Sequence, residues 1–179
     1  MFTFHETPLS GCYRVKPKAF LDHRGKFIKL FHEPFFEESG FNGRFQESYY
    51  SVSGQRVLRG LHFQTPPHAH IKLVGCISGR ILDVVADLRI NSKTYKKVFA
   101  TELSSENAEM MYVPEGFAHG FYTLSEEAVF LSFNSKKYAA ESDAGIRWNS
   151  IDFTWPDHDP VVSEKDMNLP GIDEYNSPF

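Results

Sequence analysis

Cysteine is scarce. Only Cys12 and Cys76 occur among 179 residues, and their separation fits neither a metal-ligand spacing nor a disulfide framework. Two free thiols are expected, and with them a reducing, cytoplasmic setting. No stretch approaches the length of a membrane span. The first residues, Met1 to Gly11, lack a charged segment followed by an apolar run, so no secretory leader is expected. No basic stripe exists either. With a net charge of −4, the chain has little to neutralise successive phosphates, which argues against general nucleic-acid binding. Repeats, low-complexity tracts and linkers are missing, so a single domain over residues 1–179 is expected. Helical periodicity is weak. Only Pro34 to Gly40 reads as a short helix, with Ser104 to Ala108 as a helical turn.

Aromatic residues are plentiful. Seventeen Phe and eight Tyr supply a substantial core of the kind that β structure favours. Turn signals recur at Asp22 to Gly25, Ser53 to Gln55, Thr65 to Pro67, Ser78-Gly79, Asn91-Ser92 and Pro114 to Gly116. Between them lie short runs rich in Val, Ile, Phe and Tyr: Lys26 to Phe31, Ile71 to Ile77, Arg80 to Leu88, Lys97 to Leu103, Met110 to Val113, Gly120 to Leu124 and Ala128 to Phe133. Many short strands at regular spacing predict an antiparallel sandwich or barrel. The polar tail from Asp157 onward is expected to wrap over it.

Chemistry concentrates between Leu58 and Val74, which hold Arg59, His62, Gln64, His68, His70 and Lys72. Strand alternation predicts His68, His70 and Lys72 on one face, with Ala69, Ile71 and Leu73 on the other. Such a polar face either lines a ligand-holding barrel or lies on a solvated exterior, and the segment alone leaves both open. Arg59 and His62 are three apart, so a regular strand points them to opposite faces. A shared site requires a bulge, for which Gly60 is the natural position. A second group, Val113 to Phe121, ends a turn with His119 at the start of a new strand.

Several blocks extend the pattern: Asp22-x-Arg24-Gly25, Val57 to Gln64, Lys72-Leu73-Val74, Asp83 to Arg89, Leu103-Ser104-x-Glu106-Asn107, Val113 to Phe121, Gly145 to Asn149, Trp155-Pro156 and Ser163-x-Lys165-Asp166. In this order and spacing, over nearly the whole chain, they resemble the dTDP-4-dehydrorhamnose 3,5-epimerase family. The resemblance implies an all-β, cupin-type double-stranded β-helix (a jelly-roll barrel with a few short helices), a homodimer, and no metal or other cofactor. It implies a substrate that is a nucleoside-diphosphate 4-keto-6-deoxy sugar, inverted at C3, C5 or both in deoxysugar biosynthesis. On it, His62 is the base, Asp166 its partner, and Lys72 the group beside the keto oxygen. Arg24, Arg59 and His119 hold the diphosphate and sugar.

These residue types suit that chemistry. The 4-keto group acidifies the hydrogens on C3 and C5, and a neutral imidazole is a fitting base near neutrality. A carboxylate fixes the tautomer and stabilises the imidazolium. An ammonium stabilises the enolate oxygen, and Asp83 is a candidate for orienting that ammonium. Guanidinium forks match phosphate oxygens.

The chain also departs from the family. Its catalytic Tyr position holds Ser132, a poorer acid with shorter reach, which points to Tyr138 or a water as substitute and to inversion of a single carbon. In the expected substrate region Glu47-Ser48-Tyr49 replaces Gln-Asp-Asn, Lys29 and Asp143 each replace Glu, and His70-Ile71 replaces Gln-Gly. Lys29, Glu47, Asp143 and His70 therefore join the substrate-binding candidates, and the nucleotide base stays open among dTDP, UDP, CDP and GDP. Two alternatives remain. One is a metal-dependent cupin dioxygenase or isomerase using His62, His68, His70 and His119. However, no carboxylate follows the His-x-His pair, and Lys72 sets a cation beside it. The other is a non-catalytic sugar-nucleotide binder, against which His62, Lys72 and Asp166 stand together.

Overall fold

The computed structural model describes residues 1–179. Two antiparallel sheets face each other. Strands β1 (Phe2–Glu6), β2 (Tyr13–Pro17), β5 (Glu47–Gly54), β7 (Lys72–Ser78), β10 (Met110–Val113) and β12 (Glu127–Asn134) form a six-stranded sheet. Its order is β1-β2-β10-β7-β12-β5. Strands β6 (Leu58–Gln64), β8 (Arg80–Asp87), β9 (Val98–Ser104), β11 (Phe117–Thr123) and β13 (Asp143–Gly145) form a five-stranded sheet in the order β13-β6-β11-β8-β9. A separate hairpin pairs β3 (Ala19–Asp22) with β4 (Gly25–Ile28). Helix α1 spans Glu33–Glu38 and α2 spans Glu164–Met167. This is the expected cupin-type jelly roll.

Three apolar clusters explain why the strands read as they do. Between the sheets, Val74, Cys76, Val85, Phe117, Phe121 and Phe130 fill one half of the barrel. Outside the five-stranded sheet, Ala118, Tyr122, Val84 and Ala86 are covered by Trp155, Ile172 and the partly buried Phe179. Every residue of β11 is consequently buried, and Val161 in the tail is bridged to Val57. Outside the six-stranded sheet, Leu73, Met110 and Tyr112 are covered by Phe2 and by Phe36 of α1. Sheets covered on both faces lose the simple apolar–polar alternation.

The change from core to cleft runs along single strands. On β12 the buried positions are Ala128, Phe130, Ser132 and Asn134, apolar first and polar last. On β7, Cys76 and Val74 belong to the core between the sheets, whereas Lys72 lines a cavity. Core packing therefore ends near one mouth of the barrel, and the polar groups line that mouth.

Candidate functional site

The mouth holds a cleft in two adjoining parts. One, of about 330 Å³, is lined by Glu47, Tyr49, His62, His70, Lys72 and Asp143 among others. The second, of about 530 Å³, includes Tyr49, Arg59, His62, Ser163, Lys165 and Asp166. His62, Tyr49 and Lys165 are common to both.

The bulge expected at Gly60 is present. Opposite β11, His119 pairs with His62 and Phe121 with Arg59, so three steps along β6 match two along β11. Gly60 has φ +127°, and a Cβ there would lie 2.6 Å from Gly120 Cα. Only glycine fits this close approach. The extra residue turns Arg59 and His62 towards the same cleft.

The His62 Nε2 lies 2.7 Å from Asp166 Oδ1. The other oxygen, Asp166 Oδ2, accepts the Gly60 backbone N–H at 3.0 Å. Asp166 is placed by α2, whose N-cap Ser163 accepts from the Asp166 N–H at 3.1 Å. Burial pushes the Asp166 carboxyl up, but the His62 hydrogen bond and charge, with the Gly60 and Ser163 hydrogen bonds, outweigh it and hold the pKa below its ordinary value. A carboxylate on Nε2 assigns the proton to that nitrogen and leaves the lone pair on Nδ1.

Lys72 is buried, and its Nζ donates to the His62 carbonyl at 3.0 Å. Burial pulls its pKa down to about 8, opposed by the charges of Asp83 and Asp143. Asp83, the candidate for orienting this ammonium, makes no hydrogen bond to it. Its Oδ1 instead lies 2.7 Å from His119 Nε2. His119 is buried, stacked on Phe130, and lines neither part of the cleft. A direct hold on the diphosphate is therefore not what its position offers.

His68 and His70 do not lie on a strand. The chain leaves the sheet after Gln64 and re-enters at Lys72, because Pro66 and Pro67 have no N–H to give to a ladder. His68 Nδ1 is 2.9 Å from Ser142 Oγ, and His68 lines neither part of the cleft. His70 does reach the cleft, with Nδ1 3.1 Å from Gln64 Nε2. Burial, and then the Lys72 charge, pull its pKa down to about 3, so it is a neutral imidazole. The four histidines thus go to four different partners, and no group of three or more His, Cys, Asp or Glu side chains could hold a metal ion.

Glu47 and Asp143 line the cleft. Asp143 accepts from Lys165 Nζ and from the Tyr138 hydroxyl at 3.3 Å. Tyr138 sits exposed at the rim. Ser132 is fully buried and donates to Asn134 Oδ1 at 2.9 Å. Arg59 reaches the cleft with its Nε bonded to Ser53 Oγ at 3.0 Å. Arg24 is not brought there. It lies exposed at the tip of the β3–β4 hairpin, paired with Asp22. Lys29 follows β4 and lines neither part of the cleft. Sequence reasoning gave no role to Tyr49, Lys165 or Asn134. Lys165 stands next to Asp166 in a recognisable block, and Tyr49 was visible only as an unusual residue.

In sequence and in fold the chain is similar to known epimerases. A protein-family model described as dTDP-4-dehydrorhamnose 3,5-epimerase matches residues 6–174. The dTDP-4-dehydrorhamnose 3,5-epimerase of Shigella flexneri is 42% identical over 166 residues, 91% of this chain and 92% of that protein. The crystal structure of dTDP-6-deoxy-D-glucose-3,5-epimerase from Legionella pneumophila, in complex with dTDP-4-keto-L-rhamnose, superposes with a TM-score of 0.94 at 32% identity. It covers 98% of this chain and 95% of that one. A 3'-monoepimerase from Streptomyces bikiniensis, in complex with dTDP-quinovose, gives a TM-score of 0.89 at 26% identity, over 95% of this chain and 88% of that one.

Proposed function

The chain belongs to the dTDP-4-dehydrorhamnose 3,5-epimerase family, and from that premise we propose that it inverts C3, C5 or both of a dTDP-linked 4-keto-6-deoxy sugar in deoxysugar biosynthesis, with His62 as the base. Its class is isomerase. The observation that carries the reading is the pairing of His62 with Asp166 at 2.7 Å, with the Lys72 ammonium bonded to the carbonyl of that same histidine.

The steps follow from those contacts. His62 Nδ1 takes the proton from a carbon beside the ketone, and Asp166 stabilises the imidazolium that results. Charge gathers on O4. Lys72, with a pKa of about 8, is largely protonated near neutrality and stabilises that oxygen within a dry wall of the cleft. Returning a proton to the opposite face completes the inversion. Arg59 offers a guanidinium for the diphosphate. Glu47, Asp143 and His70 face the same space and are suited to the nucleoside or the sugar. The dTDP-linked sugars on which the relatives act, or with which they are crystallised, support dTDP as the carrier.

Two copies are proposed to pair as a homodimer. Phe20, Leu21 and Phe27 are exposed on the β3–β4 hairpin, and beside it lies an apolar groove that includes Ile28, Leu30, Ile77, Met110 and Leu131. A second copy of that surface would cover both, and a hairpin held by a neighbour is the route by which Arg24 would approach a cleft. The unpaired Cys12 and Cys76 support a cytoplasmic location. No helix is long and apolar enough to cross a membrane. Residues 1–179 are proposed to act as one catalytic domain.

A thermal-shift comparison of dTDP, UDP, CDP and GDP tests the ligand class, since a ligand that binds only the folded state raises apparent stability. The largest shift is expected with dTDP. Equal or absent shifts with all four would sink the nucleotide-sugar reading.

A further inference from the structure

Inversion requires the proton to leave from one face of the carbon and return to the other. His62 stands on β6 of the five-stranded sheet, so the returning acid must stand on the facing wall. That wall is made by β5, β12 and β7 of the other sheet. Its polar groups at the cleft are Glu47, Tyr49, Ser51, Lys72, Asn134 and the underlying Ser132, and the Ser51 alcohol is a far weaker acid than a phenol.

Chemistry narrows this set. Asn134 is no acid. Lys72 is needed charged at the enolate oxygen. Glu47 is an acceptor for Asn134 Nδ2. Ser132 is wholly buried, and its hydroxyl already donates to Asn134. Tyr138 is exposed at the rim, lines only one part of the cleft, and gives its hydroxyl to Asp143. Tyr49 alone combines a phenol with a place in both parts of the cleft beside His62.

Register explains how Tyr49 comes to be there. Tyr49 and Ser132 are cross-strand partners in the antiparallel β5–β12 pair. Directly opposed residues point to the same face, with Cβ atoms about 5 Å apart. The small Ser132 leaves the volume in front of it to the long neighbour. The Tyr49 ring leans on Phe130, with centroids 6.5 Å apart, and the residue remains 48% exposed towards the open cleft. Burial raises the phenol's pKa above its ordinary value.

We propose that Tyr49 is the acid that protonates the substrate carbon from the face opposite His62, with Ser132, its small cross-strand partner, as the positioning residue. This rests on the epimerase reading above. The bookkeeping is closed: His62 gains the carbon's proton, the Tyr49 O–H supplies a new one, and the resulting imidazolium and phenolate return to their starting states by losing and gaining one proton through water.

The test follows a dTDP-linked 4-keto-6-deoxyhexose by NMR in deuterium oxide. Wild-type protein is expected to wash in deuterium and invert. Tyr49→Phe is expected to keep wash-in within about fivefold, because His62 is untouched, while inverted product falls by about 10²–10³-fold, the usual scale for a lost general acid. Exchanging the pair, Tyr49→Ser with Ser132→Tyr, returns a phenol to the same face and is expected to recover inversion at least tenfold over Tyr49→Phe. Inversion at the wild-type rate by folded Tyr49→Phe overturns the proposal alone. Equal loss of wash-in and inversion in that variant also overturns it. A wild-type protein inert towards the keto-sugar overturns the epimerase reading and this proposal with it.

Discussion

His62 and His119 are direct cross-strand partners on β6 and β11, and each ring has its Nε2 2.7 Å from a different aspartate, Asp166 for the first and Asp83 for the second. Their surroundings separate their roles. The His62 side chain keeps 33% exposure and opens on the cleft, whereas His119 keeps 4%. One imidazole is free to exchange protons with a ligand and the other is locked into the wall. Asp83 Oδ2, buried without a partner, leaves negative charge near Lys72. Asp83 thus acts on the lysine through its field, without contact.

The pH dependence follows from Lys72. Its folded pKa of about 8 lies below the ordinary 10.5, and the charged form is the useful one. As pH rises through 8 that form is lost, so kcat/KM is expected to fall about tenfold per unit above it. Stability moves the other way. Between pH 8 and 10.5 the unfolded chain holds a proton that the folded chain has released, so stability rises with pH across this window. Below 8 the penalty is full, about 3 kcal/mol. Lys72→Met is therefore expected to lose activity by about 10²-fold or more and to raise the unfolding free energy by about 1–3 kcal/mol, read by denaturant titration. A destabilised Lys72→Met would contradict this.

Asp83→Asn removes a negative charge that supports the Lys72 ammonium. The alkaline limb of kcat/KM is expected to move to lower pH, by about half a unit to one unit on the scale of ordinary neighbour effects. A pH–rate profile whose limb stays in place would show that Asp83 serves His119 alone.

Asp166→Asn keeps the shape but changes the hydrogen-bond pattern at Nε2. The wrong tautomer then presents N–H where the base needs a lone pair. A fall in kcat of about 10²–10⁴-fold is expected, with KM changed only a few-fold, measured by steady-state kinetics. An equal loss carried by KM would point to substrate binding instead.

Gly60→Ala probes the bulge. The added Cβ meets Gly120 Cα at 2.6 Å and the His119 carbonyl at 2.9 Å, from a φ of +127°. A loss of about 3 kcal/mol is expected, equivalent to roughly 10 °C in Tm for a chain of this size. Gly54→Ala, with nothing within 4 Å, is the matched control and should scarcely move.

Much of this was readable before the structure. The apolar runs from Arg80 and from Ala128 became β8 and β12, and Pro34 to Gly40 became α1 with its end shifted by two residues. Strand β5 was missed because Glu47 to Gly54 is mostly polar, its inner residues facing a wet cleft where no apolar pattern is selected. Helix α2 has four residues, too few for any period. Two prolines defeated the alternation drawn through His68 and His70. The Asp83–His119 contact and the Tyr49–Ser132 pair depend on strand register, which local sequence does not reveal.

The central claim is that the His62 imidazole removes a carbon-bound proton beside a ketone. Its most direct test is the rate at which deuterium from solvent enters a dTDP-linked 4-keto-6-deoxy sugar, compared between wild type and His62→Asn. A loss of about 10³-fold or more in the variant, with nucleotide binding retained, is the predicted result. Wash-in at the wild-type rate by the folded variant would contradict the account.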